Sequence, residues 1–253
     1  MTQNIILCDD HVLLRNGIKS WIETHSSYKV THEAGTWAEC EKIIDSIAAT
    51  ITSINTSAAE CSRETVGSTP SAQLKPRANE EPAPEAQNGC IASIAIVDIS
   101  FKAEYTTAAH EENCGFEIIR RFSALGIPCI AYSSHDSGGF VEHATSAVVG
   151  AKGFVSKNAD ETILLAAINA VANGKSYIQA ELVTGLLEVR DIAQTFTKKE
   201  KRVAEALTIY NTNAEVAAAL GITEKTVVNY LTIMYDKAGV KNKLEFLQKM
   251  GRL

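Results

Sequence analysis

Asp9 and Asp10 directly follow the apolar run Asn4–Cys8, and Asp98 directly follows a second such run, Ala92–Val97. If both runs are neighbouring strands of a doubly wound parallel sheet, the three carboxylates meet at its C-terminal edge, where such sheets form their ligand crevice. Three carboxylates at close quarters repel one another unless a cation lies among them. An oxygen-ligand site for Mg²⁺ with retained waters is the natural solution. A run at Cys129–Ser133 brings the Ser133 hydroxyl to the same edge, and one at Gly153–Ser156 brings the Lys157 ammonium. Carboxylate acceptor, cation, hydroxyl and lysine are the parts of a phosphoryl-transfer site, whose work is mostly positioning and charge neutralisation. Taken singly, an Asp after a strand is an ordinary turn or capping residue, and Asp9 is placed to cap a helix starting near His11. Five such residues at strand ends point to a site.

The elements that must position these groups alternate in a βα rhythm over the first 170 or so residues. Strands are expected at Asn4–Cys8, Tyr28–Glu33, Ala92–Val97, Cys129–Ser133 and Gly153–Ser156. Helices are expected over about 12–24, 36–49, 115–125, 138–149 and 160–173, with Gly174 at a C-terminal cap. Residues 51–91, rich in Ser, Thr, Ala, Glu and Pro, read as a disordered insertion, and 101–114 as a shorter polar one. This gives a first domain at 1–175. Residues 176–195 read as a linker helix with Ile178, Leu182, Val183, Leu186 and Leu187 on its apolar face.

From 196 to 253 the pattern is all-helical. Thr197 and Glu200 fit a capping box ahead of apolar Val203, Ala204, Ala206 and Leu207. A short helix AEVAAAL, a turn at Gly221-Ile222, a cap at Thr223 and a longer helix to about Lys237 give helix-turn-helix spacing. Residues 194–253 carry 10 Lys and Arg against 6 Asp and Glu, while the whole chain is −6. An acidic first domain with a basic second one suggests that only the second meets nucleic acid.

Charged content of 21% and apolar runs far shorter than a membrane span argue for a soluble protein with no membrane partner. The N-terminus shows no basic n-region or cleavage signal, so a cytoplasmic location is expected. Six cysteines without a Cys-x-x-Cys pair read as reduced, mostly core thiols and argue against zinc or a disulfide framework.

The segments IILCDDHVLLRNGI, AIVDIS, CIAYSS and GAKGFVSK resemble the receiver domain of two-component response regulators. The resemblance implies a flavodoxin-like α/β fold with a five-stranded parallel sheet of order 2-1-3-4-5. It makes Asp98 the phospho-acceptor, served by a sensor histidine kinase. Asp9, Asp10, Asp98 and the Ser100 backbone carbonyl would hold Mg²⁺, with Ser133 as switch hydroxyl and Lys157 on the phosphate. A switch aromatic would fall near Phe154 or Val155. Where many receivers have Met-Pro, this chain has Phe101-Lys102.

The stretch FTKKEKRVAEAL…NAEVAAALGITEKTVVNYLTIMYDKAGVKNK resembles the DNA-binding domain of NarL/LuxR-type regulators, with Glu200, Glu215, Leu220, Gly221, Thr226, Val227, Tyr235, Lys237 and Val240 at marked positions. It implies a four-helix domain binding double-stranded DNA, as a homodimer when phosphorylated. Val228 and Thr232 stand where the family usually offers basic residues, Tyr230 where His is common, and Lys243 where Arg is common. Lys225, Val228, Asn229 and Thr232 are expected at the bases, Asn229 on an adenine edge and Val228 on a thymine methyl, with Thr226 also among the DNA-binding residues. Phosphate contacts are expected from Lys241 and Lys243, and from Lys198, Lys199, Lys201, Arg202 and Lys237. The expected function is a phosphorylation-controlled transcription regulator, not an enzyme beyond its own phosphotransfer and dephosphorylation. The alternatives are a switch whose helical domain binds protein, and a Mg²⁺-dependent phosphatase or phosphotransferase.

Overall fold

The computed structural model describes residues 4–64, 93–101, 114–207, 209, 210 and 212–251. Six strands form one sheet: β1 (Asn4–Cys8), β2 (Lys29–Ala34), β3 (Ser93–Asp98), β4 (Cys129–Ser133), β5 (Gly153–Ser156) and β6 (Tyr177–Ile178). All pairs are parallel, and the order is β2-β1-β3-β4-β5-β6. The strands alternate between two cores. Ile6, Cys8, Ala95 and Val97 face one side, and Ile5, Leu7, Ile94 and Ile96 the other. Burial on both faces is why these strands read as continuous apolar runs.

Helices α1 (Val12–His25) and α5 (Glu161–Ala172) cover the second face; α2 (Trp37–Glu64), α3 (Cys114–Ala124) and α4 (Gly138–Thr145) cover the first. The buried thiols Cys8, Cys40 and Cys129 form no disulfide. A Cys40 hydrogen bond and burial raise Cys8, and burial pushes the Cys129 thiol up to about 12, so both stay protonated and inert.

Three expectations need correction. The sheet has six strands rather than five, because Tyr177–Ile178, assigned to the linker helix, instead lengthens the sheet beside β5. The linker helix is α6 (Ala180–Thr195). It buries Leu182, Leu186 and Val189 and leaves Val183 and Leu187 exposed, since the 3.6-residue turn separates these two rows. Finally, α2 runs to Glu64, so residues 51–64 are helix and not a disordered insertion. Ile47 and Ile51, one turn apart, both pack on the core, and the Thr50, Thr52 and Thr56 hydroxyls donate to carbonyls four residues back. The expectation for 65–91, like that for 102–113, lies outside the described residues.

The C-terminal helices are α7 (Lys198–Ala206), α8 (Asn213–Leu220), α9 (Glu224–Ala238) and α10 (Lys243–Lys249). They close a separate core around Val203, Val216, Val227, Leu231, Met234 and Phe246. The capping box at Thr197/Glu200 is formed, and a second one stands at Thr212/Glu215. Gly221 ends α8 with φ +64°, the left-handed conformation that reverses the chain into Thr223, whose side chain accepts from the Thr226 N–H. Among the described residues no helix is long and apolar enough to cross a membrane.

Candidate functional site

Strand register brings the acidic residues together. Cys8 pairs with Val97, so Asp9 and Asp98 leave adjacent strands at the same level. Asp98 pairs with Tyr132, and Ser133 with Ser156, so the hydroxyl and Lys157 follow on the next two strand ends. Asp9, Asp98 and Ser133 are each at most 1% exposed. Uncompensated carboxylates at such depth are costly, and the compensation is visible. Lys157 Nζ donates to Asp9 Oδ2 at 2.7 Å and to Asp98 Oδ2 at 2.8 Å, and lies 5.7 Å from the Tyr132 ring centroid. The Ser100 N–H donates to Asp98 Oδ1 at 2.9 Å. Burial raises the Asp98 carboxyl above its usual range, opposed by the hydrogen bond and charge of Lys157.

The sequence reading missed His11 and Arg15. His11 Nδ1 lies 2.9 Å from Asp10 Oδ1 and 3.2 Å from Asp9 Oδ1. The Arg15 guanidinium donates to the Asp9 carbonyl at 2.5 Å, fixing the backbone under the acidic pair. The available signal was their i, i+4 spacing at the start of α1, directly after the acidic pair. Asp9 accepts the His11 N–H at 2.8 Å in a turn ahead of α1, but the N-cap is His11 itself, with no side-chain cap, so Asp9 does not cap the helix as expected. Asp9, Asp10, His11 and Asp98 each offer a ligand atom within 4.8 Å of the others. Asp10 Oδ1 is enclosed and takes no hydrogen bond of good geometry despite the nearby imidazole. An orphaned carboxylate oxygen among three acids fits a hard divalent cation.

Ser133 Oγ accepts the His135 N–H at 2.9 Å, so the hydroxyl is held at the start of the β4–α4 loop. Phe154 and Val155 are both fully buried, on opposite faces of the sheet.

In the helical domain, α9 buries Val227, Leu231, Met234 and Ala238. Lys225, Val228, Asn229 and Thr232 fall on its opposite, exposed face at helical spacing. Thr226 is half-buried and hydrogen-bonded through Oγ1 to Thr223 Oγ1 at 2.8 Å, so it serves the helix cap. Lys241 is exposed and Lys243 half-buried near the start of α10. Lys237, expected among the phosphate contacts, is instead structural. Its Nζ donates to Glu200 Oε2 at 2.7 Å and to the Thr195 carbonyl at 2.9 Å, tying α9 to α7 and to the end of α6.

Glu200 is held below its usual carboxylate range, first by that Lys237 hydrogen bond. A depressed folded-state pKa contributes stability that is complete above the unfolded value and lost as pH falls through the folded one. Melts of the wild type should therefore lose stability as pH drops below 4.5, the unperturbed value. Glu200→Gln, compared across the same range by calorimetry, should be less stable at neutral pH and should show a flatter acid limb. Parallel limbs would remove Glu200 from the acid transition.

Comparison with known proteins shows the family and the fold. The family model for "Bacterial regulatory proteins, luxR family" matches residues 194–250. Transcriptional regulatory protein UhpA of Escherichia coli (strain K12) is 34% identical over 161 residues, covering 64% of this chain and 72% of UhpA. Transcriptional regulatory protein DesR of Bacillus subtilis (strain 168) is 30% identical over 135 residues, 53% of this chain and 65% of DesR. RcsB from Salmonella enterica serovar Typhimurium, solved bound to a promoter in the presence of phosphomimetic BeF₃⁻, shares the fold: TM-score 0.56 at 17% identity, with 100% of this chain and 99% of that chain covered. A receiver-like parallel sheet followed by a helix-turn-helix domain defines a transcriptional response regulator. The chain belongs to the LuxR family of these regulators.

Proposed function

We propose that the chain is a phosphorylation-controlled regulator whose Asp98 accepts a phosphoryl group from a sensor histidine kinase. The observation that carries this is the buried Asp98 carboxylate, bridged to Asp9 by Lys157 at the sheet edge. An Asp98 oxygen attacks phosphorus in line, the P–O bond forms as the donor's P–N bond breaks, and the donor imidazole leaves with the electron pair. Asp9, Asp10, Asp98 and the Ser100 carbonyl would hold Mg²⁺. What Mg²⁺ supplies when bound is neutralisation of the phosphoryl and carboxylate charge. Lys157 is placed to leave Asp98 for a phosphoryl oxygen, and Ser133 to release the His135 N–H and donate to another. Catalysis is confined to the chain's own phosphotransfer and slow dephosphorylation, in the cytoplasm.

The output is double-stranded DNA bound by a homodimer. The recognition face of α9 is already open in this structure. Phosphorylation therefore acts by pairing protomers on two half-sites. Selection of genomic fragments with and without acetyl phosphate tests this, and enrichment that ignores phosphorylation in both arms would refute the switch.

With Lys237 committed to Glu200, α9 offers little phosphate affinity of its own. Asn229→Ala should cost about 1–3 kcal/mol on a selected site while sparing non-specific binding. Lys241→Glu with Lys243→Glu should weaken all duplexes alike and flatten the salt dependence. Competition binding at several salt concentrations separates the two. No effect of Asn229→Ala on any selected site would favour a protein-interaction role for the domain.

A further inference from the structure

We infer that Gln179 is a positioning residue that transmits the state of the phosphoryl pocket to the DNA-binding domain through α6. This rests on the reading of Asp98 as acceptor and adds the route by which its signal leaves the pocket.

Gln179 is a buried amide, 8% exposed, at the N-cap of α6. A polar N-cap side chain ordinarily accepts an N–H from its own helix's first turn, and this one makes no such bond. Its Oε1 instead accepts the N–H of Ser156 at 2.9 Å, while its own N–H donates to the Phe154 carbonyl at 3.1 Å. The side chain is thus committed to the end of β5, one residue before Lys157. When the Lys157 ammonium moves from the carboxylates to a phosphoryl oxygen, the backbone it pulls on is the backbone Gln179 holds.

A second thread meets the first at Ser156. Its Oγ donates to Asp136 Oδ2 at 3.1 Å. Asp136 lies on the β4–α4 loop, next to His135, whose N–H is held by Ser133. That loop runs into Gly138, which lies so close to α6 that a Cβ there would stand 2.0 Å from the Gly185 carbonyl oxygen. The hydroxyl and the ammonium of the pocket therefore both lead to the first turns of α6. From there α6 is one uninterrupted helix. Leu182 and Leu186 are part of the receiver core and Val189 is part of the helix-turn-helix core, so a shift of its N-terminus moves both. A second contact returns to the receiver: a Cβ on Gly139 would stand 2.1 Å from Gly251 N, at the end of α10. A coupling claim requires an element both sites bias, and α6 with its two anchored ends is that element.

The test uses the full chain, saturating Mg²⁺ with beryllofluoride as the probe, and amide hydrogen exchange as readout. In the wild type, exchange should change at the ends of β1 and β3 and also along α6 and α10. Gln179→Met keeps length and shape but removes the acceptor. It should retain the pocket change and shrink the α6 and α10 change by about fivefold or more, a coupling of ordinary allosteric size. Gln179→Glu, which restores an acceptor oxygen, should recover most of the transmission, which a purely structural role would not predict. Full transmission in folded Gln179→Met overturns the proposal. Should that variant unfold, Gln179→Asn, which keeps the amide but shortens its reach to the Ser156 N–H, takes its place, and full transmission there overturns the proposal equally. A wild type with no response at β1 and β3 would instead sink the pocket reading itself.

Discussion

Asp98→Asn should abolish Mg²⁺-dependent labelling by acetyl phosphate, to below about one hundredth of the wild-type rate, because removing a covalent nucleophile removes the step that depends on it. Asp9 is the nearest competitor, sharing Lys157 with Asp98 through its Oδ2, so mapping the label decides between the two. Asp10 sits at the pocket's more exposed side. The substitution keeps shape and leaves the Ser100 N–H an oxygen to bond, so the fold should survive and a circular dichroism melt should stay cooperative. Labelling at wild-type level, mapped by mass spectrometry to another carboxylate, would reassign the acceptor.

Lys157→Ala should have the largest effect on stability, and its size should depend on the cation. Without divalent metal, the variant leaves Asp9 and Asp98 buried with no counter-ion. Removing one partner of a buried ion pair costs about 3–5 kcal/mol. Mg²⁺ should restore much of that loss, since the ammonium no longer occupies the carboxylate oxygens. The variant should therefore bind Mg²⁺ more tightly than the wild type while losing its response to phosphorylation. Denaturant melts with and without Mg²⁺ decide the matter. Equal stability in the two proteins without metal would mean that the bridge seen here contributes nothing in solution.

The pocket was legible because strand ends in a parallel sheet are a linear code. Asp9, Asp98, Ser133 and Lys157 each follow an apolar run, and such runs are conspicuous when both faces are buried. The recognition helix was equally readable, since Thr223, Gly221 and the spacing of Val227, Leu231 and Met234 are local signals. What failed to show was anything decided by partners distant in sequence. Tyr177–Ile178 carries two residues' worth of pattern, and only the open edge of β5 makes it a strand. Past residue 49, Ile51 finds the core from α2, a contact that a composition suggesting disorder did not reveal.

The amino-acid sequence by itself determined the two domains, the sheet edge with its acidic residues, and the exposed face of α9. These follow from periodicity and capping, which act over a few residues. Tertiary structure alone decided how the charges are spent. Lys157 bridges Asp9 and Asp98 across 148 and 59 residues of chain, and Lys237 is tied to a glutamate 37 residues away. Gln179 serves a strand rather than its own helix. An ammonium or an amide has several possible partners of similar strength, and only the folded arrangement of distant elements selects among them.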